Sequence, residues 1–579
     1  MANQLPLTSS LSSLGKAETT AELAKTLLWQ TLPEFLSFEE RVNLSFERAK
    51  SIVQHYKLTA EDVFQVNNRY WRFNSDPILA LDGSVGTLLT IHYNLCLGTI
   101  AKYLKDRPDL QPIVDKLQTF EWNGQYCLTE LGHGLDVINM ETRATQLPDG
   151  SFDLHTPNDR AAKFMPPTAP SGHPCIAVVH ARLFVDDEDR GPKVFLVQLH
   201  DGKQMNAGVT SKVLAPRGSA RPVKHCLTHF NHVHLPASAL LSHPEKPKVP
   251  REAFFDNISR VITGTISMGA LGISGMRIAS FVAAKYSLRR HVIDVSTKVS
   301  RPIISFSTQY TAVLSAIAQT LVLREFSNYC HGLFRSAKEP TTKHFIAAVM
   351  KTTAIKAAQA TTLELSERCG AQGLAEVNQI NITHGDVRGA AIAEGDVLVI
   401  SIRFAIDLLL KRVRVPPYLF PDCLLARHER SLTSSLRASL AHAASHRDQT
   451  FDTLLPLCQP LIEAIGSRMA YDAARRGLDE DILDLFVASH IRKDPAWYAL
   501  NEGFDTATQV RMETEAAKKL LPRINVLLDL LQVEPYVVAP ITSDAKWDQY
   551  VISLDTYGET PMRSVSQSVL ELALTVPYS

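Results

Sequence analysis

The sequence predicts a mostly α-helical fold with a β domain in its centre. Three textures carry that prediction. From 18 to 118 apolar side chains recur at helical spacing, and from about 125 to 242 β-branched runs are separated by Gly, Pro, Asn and Asp clusters. After Pro236 helical spacing returns and persists to about 535.

AELAKTLLWQTL, FEERVNLSFERAKSIVQHY and PILALDGSVGTLLTIHYNLCLGTIAKYL read as the first helices. CIAVVHARLFV and KVFLVQLHD read as strands, and QLPDGSF sets a hairpin turn on Asp149-Gly150. ISRVITGTISMGALGISGMRIASFVAAKYSLRR is rich in small residues, as suits a helix packed closely on its neighbours. Further helical runs cover 307–336 and 340–368, a loop rich in Gly, Asn and Asp is expected over 369–389, and PPYLFPDC at 416–423 breaks the chain before a last helical block. The expected divisions are an N-terminal helical domain (1–123), a middle β domain (124–243), a helical bundle (244–415) and a C-terminal helical domain (416–579).

Composition narrows the function. The 579 residues are 45% hydrophobic and 21% charged, enough to bury a large core. Lys plus Arg and Asp plus Glu both number 60, so no global field attracts nucleic acid or an anionic membrane. A small-molecule substrate is expected, with no nucleic-acid partner. No apolar run is read as long enough for a membrane span. Eight scattered cysteines form no C-x-x-C pair, so buried reduced thiols of an intracellular enzyme are expected. The polar N-terminus lacks a secretory apolar core, and the chain ends TVPYS, not the peroxisomal tripeptide.

HCLTHFNHVHLP (225–236) puts His225, His229, His232 and His234 within ten positions. On one extended strand His232 and His234 would share a face, with Asn231 and Val233 on the other. A metal would need a third ligand nearby. With Asn231 and Pro236 in register, the stretch resembles the segment that closes the β domain of the acyl-CoA oxidases, which implies the last β strand and the domain exit here, and no metal.

The motifs for chemistry lie elsewhere. In GQYCLTELGHGLDV (124–137), Thr129 and Glu130 precede a Gly132-His133-Gly134 turn whose amides can approach a ring or phosphate. This stretch resembles the Thr-Glu-Leu-Gly-His-Gly element of the acyl-CoA oxidases, in the acyl-CoA dehydrogenase/oxidase superfamily. Residues 141–167 resemble that family's segment ending Lys-Trp-Trp-Pro-Gly-Gly: Lys163 and Pro166 match, while Phe164-Met165 replace the Trp pair and Pro167-Thr168 the Gly pair. AAKYSLRRHVI (283–293) resembles a helix end where Arg pairs with the FAD pyrophosphate; Arg289 and Arg290 match, and His291 stands where Gln is usual. FSTQY (306–310) follows at the family's position. ERCGAQGLAEVNQINITHGDVRGAAIAEGDVLVI (367–400) resembles the Cys-Gly-Gly-His-Gly-Tyr loop and later Tyr-Glu-Gly, keeping Cys369, Gly370, Gly373, Glu394 and Gly395 but not the Tyr before the Glu.

The resemblance implies a divergent member of the family with the acyl-CoA dehydrogenase/oxidase fold, its middle domain β-barrel-like and flavin-binding. It implies Glu394 as catalytic base and Thr129, Gly132, Gly134, Lys163, Phe164, Arg289, Arg290, Gly370 and Gly373 along FAD. It further implies an acyl-CoA substrate desaturated to a trans-2-enoyl thioester, O2 reduced to H2O2, a homodimer and a peroxisomal location, with the cytosol as the alternative. A dehydrogenase-like desaturase using another acceptor, and a non-catalytic helical assembly protein, are the competing readings. Glu394 in the base position argues against the second.

Overall fold

The protein is described by a computed structural model over residues 19–442 and 447–558. Helix α1 (Phe38–Tyr56) starts at a reciprocal cap between Ser37 and Glu40 and buries Val42, Phe46, Ala49, Ile52 and Val53 along one face. After α2 (Asn68–Ser75), the segment expected as one helix is broken. Asp82 accepts the N–H groups of Ser84 and Val85 and so starts α3 (Gly83–Leu89) anew. A π-helical stretch, Thr90–Leu97, then widens the helix and buries His92, Tyr93 and Asn94.

The β region holds strands β1 (Asn123–Cys127), β2 (Arg143–Gln146), β3 (Phe152–His155), β4 (Lys163–Phe164), β5 (Cys175–Val185), β6 (Glu188–His200), β7 (Val209–Val213), β8 (Cys226–Phe230) and β9 (Val233–Leu235). The long β5 is the hub. It pairs in parallel with β1 through Cys175–Val179, then in parallel with β2 through Arg182–Phe184, and antiparallel with β6 along its length. β2 continues through β3 to β9, while β4, β8 and β7 form a second, three-stranded sheet. Side chains alternate across the pleat. Ala177, Val179 and Ala181 point into the β core, and Ile176 and Val178 join Tyr126 in the helical core. One face of the large sheet is thereby applied to the helices.

The expected single strand around Asn231 and His232 is instead a corner. β8 ends at Phe230, β9 starts at Val233, and His232 takes a left-handed φ of 51° between them. His232 and His234 therefore do not share a strand face.

The helical bundle comprises α4 (Ser259–Arg289), α5 (Ser307–Ser336), α6 (Pro340–Arg368), α7 (Ile380–Ile392) and α8 (Val397–Leu409). A Cβ on Gly269 of α4 would lie 2.2 Å from Met350 Sδ, so the small-residue run does bring α4 and α6 together. α4 is long and apolar enough to cross a membrane by length and composition, contrary to the sequence reading. However, 94% of its most apolar window is buried inside the protein, which makes it a core helix. Helices Leu424–His442, Arg447–Ala474, Glu480–Ile491 and Thr506–Leu520 follow.

The expected loop over 369–389 is corrected in its second half, where α7 begins at Ile380. Gly385 and Gly389, which read as loop formers, serve close approach instead: added Cβ atoms would come within 2.1 Å of Gly218 O and 2.0 Å of Ser219 Oγ. Tertiary contact overrides their poor helix propensity.

Candidate active site

Glu394 lies in the Ala393-Glu394-Gly395 turn between α7 and α8. Asp396 closes the turn by capping α8, its Oδ1 accepting the N–H of Leu398 at 2.9 Å. Glu394 has φ 53° and Gly395 φ 102°. The left-handed region is natural for the glycine and uncommon for a glutamate. The turn is held by its carbonyls. Lys351 Nζ, reaching out of α6, donates to Ala393 O and to Gly395 O. Thr265 Oγ1 on α4 donates to Glu394 O at 2.7 Å.

This backbone sends the carboxylate inward, against α4. A Cβ on Gly264 would sit 1.2 Å from Glu394 Oε2, so the carboxylate occupies the space a side chain would fill. Asn94 Nδ2, from the π-helical stretch, donates to the same oxygen at 2.9 Å. Asn94 is itself fixed by Arg260, whose guanidinium donates to Asn94 Oδ1 at 2.7 Å and to Asn94 O at 3.1 Å. The other amide proton of Asn94 goes to Arg260 O at 3.0 Å.

Burial pushes the Glu394 carboxyl up to about 8, against the opposing pull of Lys351, the Asn94 hydrogen bond and Arg260. Burial likewise lowers the Lys351 ammonium to about 7. Tyr126 on β1 faces this group. Its buried hydroxyl has no partner among the described residues, and burial together with the Glu394 charge drives its phenol above the ordinary range.

Three residues beyond Tyr126 begins the Thr129–Gly134 turn, which a buried ion pair supports. Glu130 accepts the N–H groups of Glu141 at 2.7 Å and Thr142 at 2.9 Å. It also takes Lys163 Nζ at 2.9 Å, with both side chains wholly buried. Lys163 was expected along the cofactor; it is turned inward on Glu130 and Leu128 O, so it supports the turn rather than lining it. Phe164 N–H donates to Thr129 O at 2.9 Å and Gly132 N–H to Arg160 O at 2.7 Å, which brings Thr129, Gly132, Lys163 and Phe164 together. The Cβ direction of Gly134 is open.

The histidine cluster divides among different duties. Burial and Arg217 lower His225 to about 4, so its ring is neutral: Nδ1–H donates to Met165 O at 2.6 Å and Nε2 accepts from Arg217. His225 thus anchors the Phe164-Met165 segment. His229 reaches Asp159 at 3.0 Å, and His232 reaches Asp153 at 2.9 Å and stacks on His155 with centroids 4.1 Å apart. No group of three or more His, Cys, Asp or Glu suited to a metal occurs among the described residues.

The remaining expected residues stand apart from the Glu394 turn. Arg289 pairs with Asp544 at 2.6 Å above the Trp547 ring, and Arg290 is exposed. Gly370 has φ 59°, and a Cβ on Gly373 would collide with Ser366 O at 1.9 Å, so Gly373 permits a tight helix exit. Sequence reasoning missed Asn94, Arg260, Gly264, Thr265 and Lys351. Their one visible signal is polarity inside apolar helices, as at Lys351 in FIAAVMKTTAI.

Residues 261–409, which contain α4 from Val261 onward, Lys351 and the Glu394 turn, match the acyl-CoA oxidase C-alpha1 domain. Over these residues the chain is similar to the acyl-CoA oxidases. Among relatives of this family, it is 28% identical to the acyl-coenzyme A oxidase of Eremothecium gossypii over 319 residues, covering 50% of this chain and 43% of that one. It is 26% identical to human peroxisomal acyl-coenzyme A oxidase 3 over 398 residues, covering 62% and 55%. The chain thus spans about half the length of the curated relatives it matches. Acyl-CoA oxidase 1 of Yarrowia lipolytica superposes with a TM-score of 0.79 at 16% identity, covering 97% of this chain and 92% of that one. Acyl-CoA oxidase-1 of Caenorhabditis elegans, solved with FAD and ATP, gives 0.74 at 18%, covering 96% and 93%. The fold is that of the acyl-CoA dehydrogenases and oxidases, as expected from the sequence.

Proposed function

We propose that this protein desaturates an acyl-CoA at C2–C3 with FAD as cofactor and O2 as electron acceptor, releasing H2O2. The observation that carries the reading is the half-buried Glu394, aimed inward by a clamped left-handed turn, with its carboxyl raised to about 8 by desolvation. An α-proton of a thioester is weakly acidic. A carboxylate desolvated to this degree is a stronger base than a solvated one and still ionises near neutral pH.

The residues present fit a flavin. Among the described residues the buried Gln125 amide and the buried Tyr126 hydroxyl are unpartnered. Buried polar groups are ordinarily paired, so these fit a ligand rich in donors and acceptors. Thr129, the Gly132–Gly134 turn and Phe164 would hold the flavin, with Arg289, Arg290 and the Gly370–Gly373 turn at its phosphate end, as the family resemblance implies. Bound there, FAD would supply the acceptor for the β-hydrogen as hydride and the route for two electrons to O2.

The chain's own contribution is proton chemistry and geometry. Glu394 takes the α-proton, Asn94 holds its carboxylate in place, and Arg260 fixes Asn94. The Glu394 N–H, whose backbone the clamp fixes, is placed by the resemblance to donate to the thioester oxygen, where enolate charge develops. The missing Tyr before Glu394 leaves Ala393 there and reshapes the acyl pocket. The same resemblance supports a homodimer, a peroxisomal location, and flavin binding in the 124–243 domain with the base in the 244–415 bundle.

The test is anaerobic titration of the purified yellow protein with acyl-CoAs of graded length, reading flavin bleaching, followed by peroxide on admitting air. Bleaching, abolished in Glu394→Gln, with stoichiometric peroxide is expected. Bleaching without peroxide would assign a different acceptor, and a Glu394→Gln variant bleaching at the parental rate would remove the base assignment.

A further inference from the structure

One buried ionisable group beside this site has no part in binding or proton transfer so far. Lys351 is wholly buried in α6 among apolar and small side chains, at a cost of desolvation that such a residue meets only with strong partners. Its ammonium donates to Ala393 O and Gly395 O, the two carbonyls that flank Glu394. Thr265, which donates to the middle carbonyl, carries no charge. Three successive carbonyls of one turn are therefore saturated from two different helices. Peptide carbonyls left buried and unpaired are costly, so the clamp favours the left-handed conformation at Glu394 over the relaxed alternatives.

We infer that Lys351 is a positioning residue for the base: it locks the turn that aims the Glu394 carboxylate at α4, and it places a titratable amine beside that turn. The inference rests on the proposed role of Glu394. The groups that face Glu394 come from every neighbouring element. They are Arg260 from α4, Asn94 from the π-helical stretch, Tyr70 from α2, Tyr126 from β1 and Lys351 from α6, with Asp396 of the turn itself acting on Lys351. Of the two cations, Arg260 spends its donors on Asn94 and on the carbonyls of Val63 and Phe64. Lys351 exerts the larger pull on the carboxyl.

The two roles separate experimentally. Lys351→Met removes clamp and charge, Lys351→Gln keeps an amide donor without charge, and Thr265→Val removes a clamp without touching charge. The readouts are the anaerobic bleaching rate of the flavin-loaded protein against pH and, independently of turnover, the carboxyl stretch of Glu394 in an infrared titration, assigned by its loss in Glu394→Gln. The lysine pulls the carboxyl down, so both lysine variants are expected to move the midpoint up. Loosening the turn is expected to slow bleaching by about 10²-fold per ångström of misplacement, in Thr265→Val without a midpoint change. Should Lys351→Met fail to fold, Lys351→Gln still reports the charge. A Lys351 variant with the parental midpoint overturns the inference, as does one with the parental rate at high pH. Full bleaching by Glu394→Gln would instead overturn the base assignment beneath it.

Discussion

Gly264 gives the sharpest test of how the carboxylate is seated. In Gly264→Ala the new Cβ falls 1.2 Å from Glu394 Oε2, 2.1 Å from its Cδ and 2.8 Å from Asn94 Nδ2. Ordinary contact needs about 3.5 Å, so the oxygen must retreat by roughly 2 Å and abandon its hydrogen bond to Asn94. A general base is worth about 10²–10⁴ in rate, and a misplacement of ~1 Å already costs ~10². The expected fall in anaerobic bleaching rate is therefore about 10²–10⁴-fold. Stability should change far less: alanine gains about 1 kcal/mol over glycine inside a helix, while overpacking costs about 1–3 kcal/mol. The net loss is then at most about 2 kcal/mol, read from urea unfolding monitored by far-UV circular dichroism. Stopped-flow bleaching of this variant at the parental rate would refute the placement of the carboxylate on α4.

The Glu394 carboxyl lies at about 8 in the folded chain against an ordinary value of 4.5, so bleaching should rise with pH and level off above about 8. The linkage sign follows: the folded state holds this proton where the unfolded state has lost it, so its contribution to stability is fully present below about 4.5 and is lost as pH rises to about 8. Chemical denaturation at a series of pH values checks this against Glu394→Gln, whose pH dependence should lack it. Lys163→Met strands the Glu130 carboxylate in the core, and breaking such a pair costs about 3–5 kcal/mol, so a large drop in melting temperature is expected; a drop no larger than at a surface lysine would contradict the buried pair. Because His225, His229 and His232 each hold a different partner, EDTA should leave the melting temperature unchanged, and a shift would point to a metal there.

Much was legible in the sequence because it depends on periodicity and local chemistry. The 3.6-residue spacing that marks 307–336 and 340–368 is the packing face of α5 and α6, and the alternation in CIAVVHARLFV is the pleat of β5. Thr129, Gly132, Lys163 and Phe164 could be named from a short motif, and they do come together around one turn. Where a residue's effect depends on what approaches it from afar, the local signal misleads. Gly385 and Gly389 read as loop and lie in α7, because the chain near Ser219 passes too close for any side chain. The adjacent histidines read as a cluster, but a single left-handed residue at His232 turns the chain between β8 and β9.

The sequence by itself determined the class of fold, written in spacing, and through the family resemblance it singled out Glu394 as the proposed base. It could not determine the state of that base. Asn94, Gly264 and Lys351 lie 300, 130 and 43 residues from Glu394 in the chain, and only the packing of three helices brings them to one carboxylate. A pKa near 8 is a property of that burial and those neighbours, and so belongs to the tertiary structure alone.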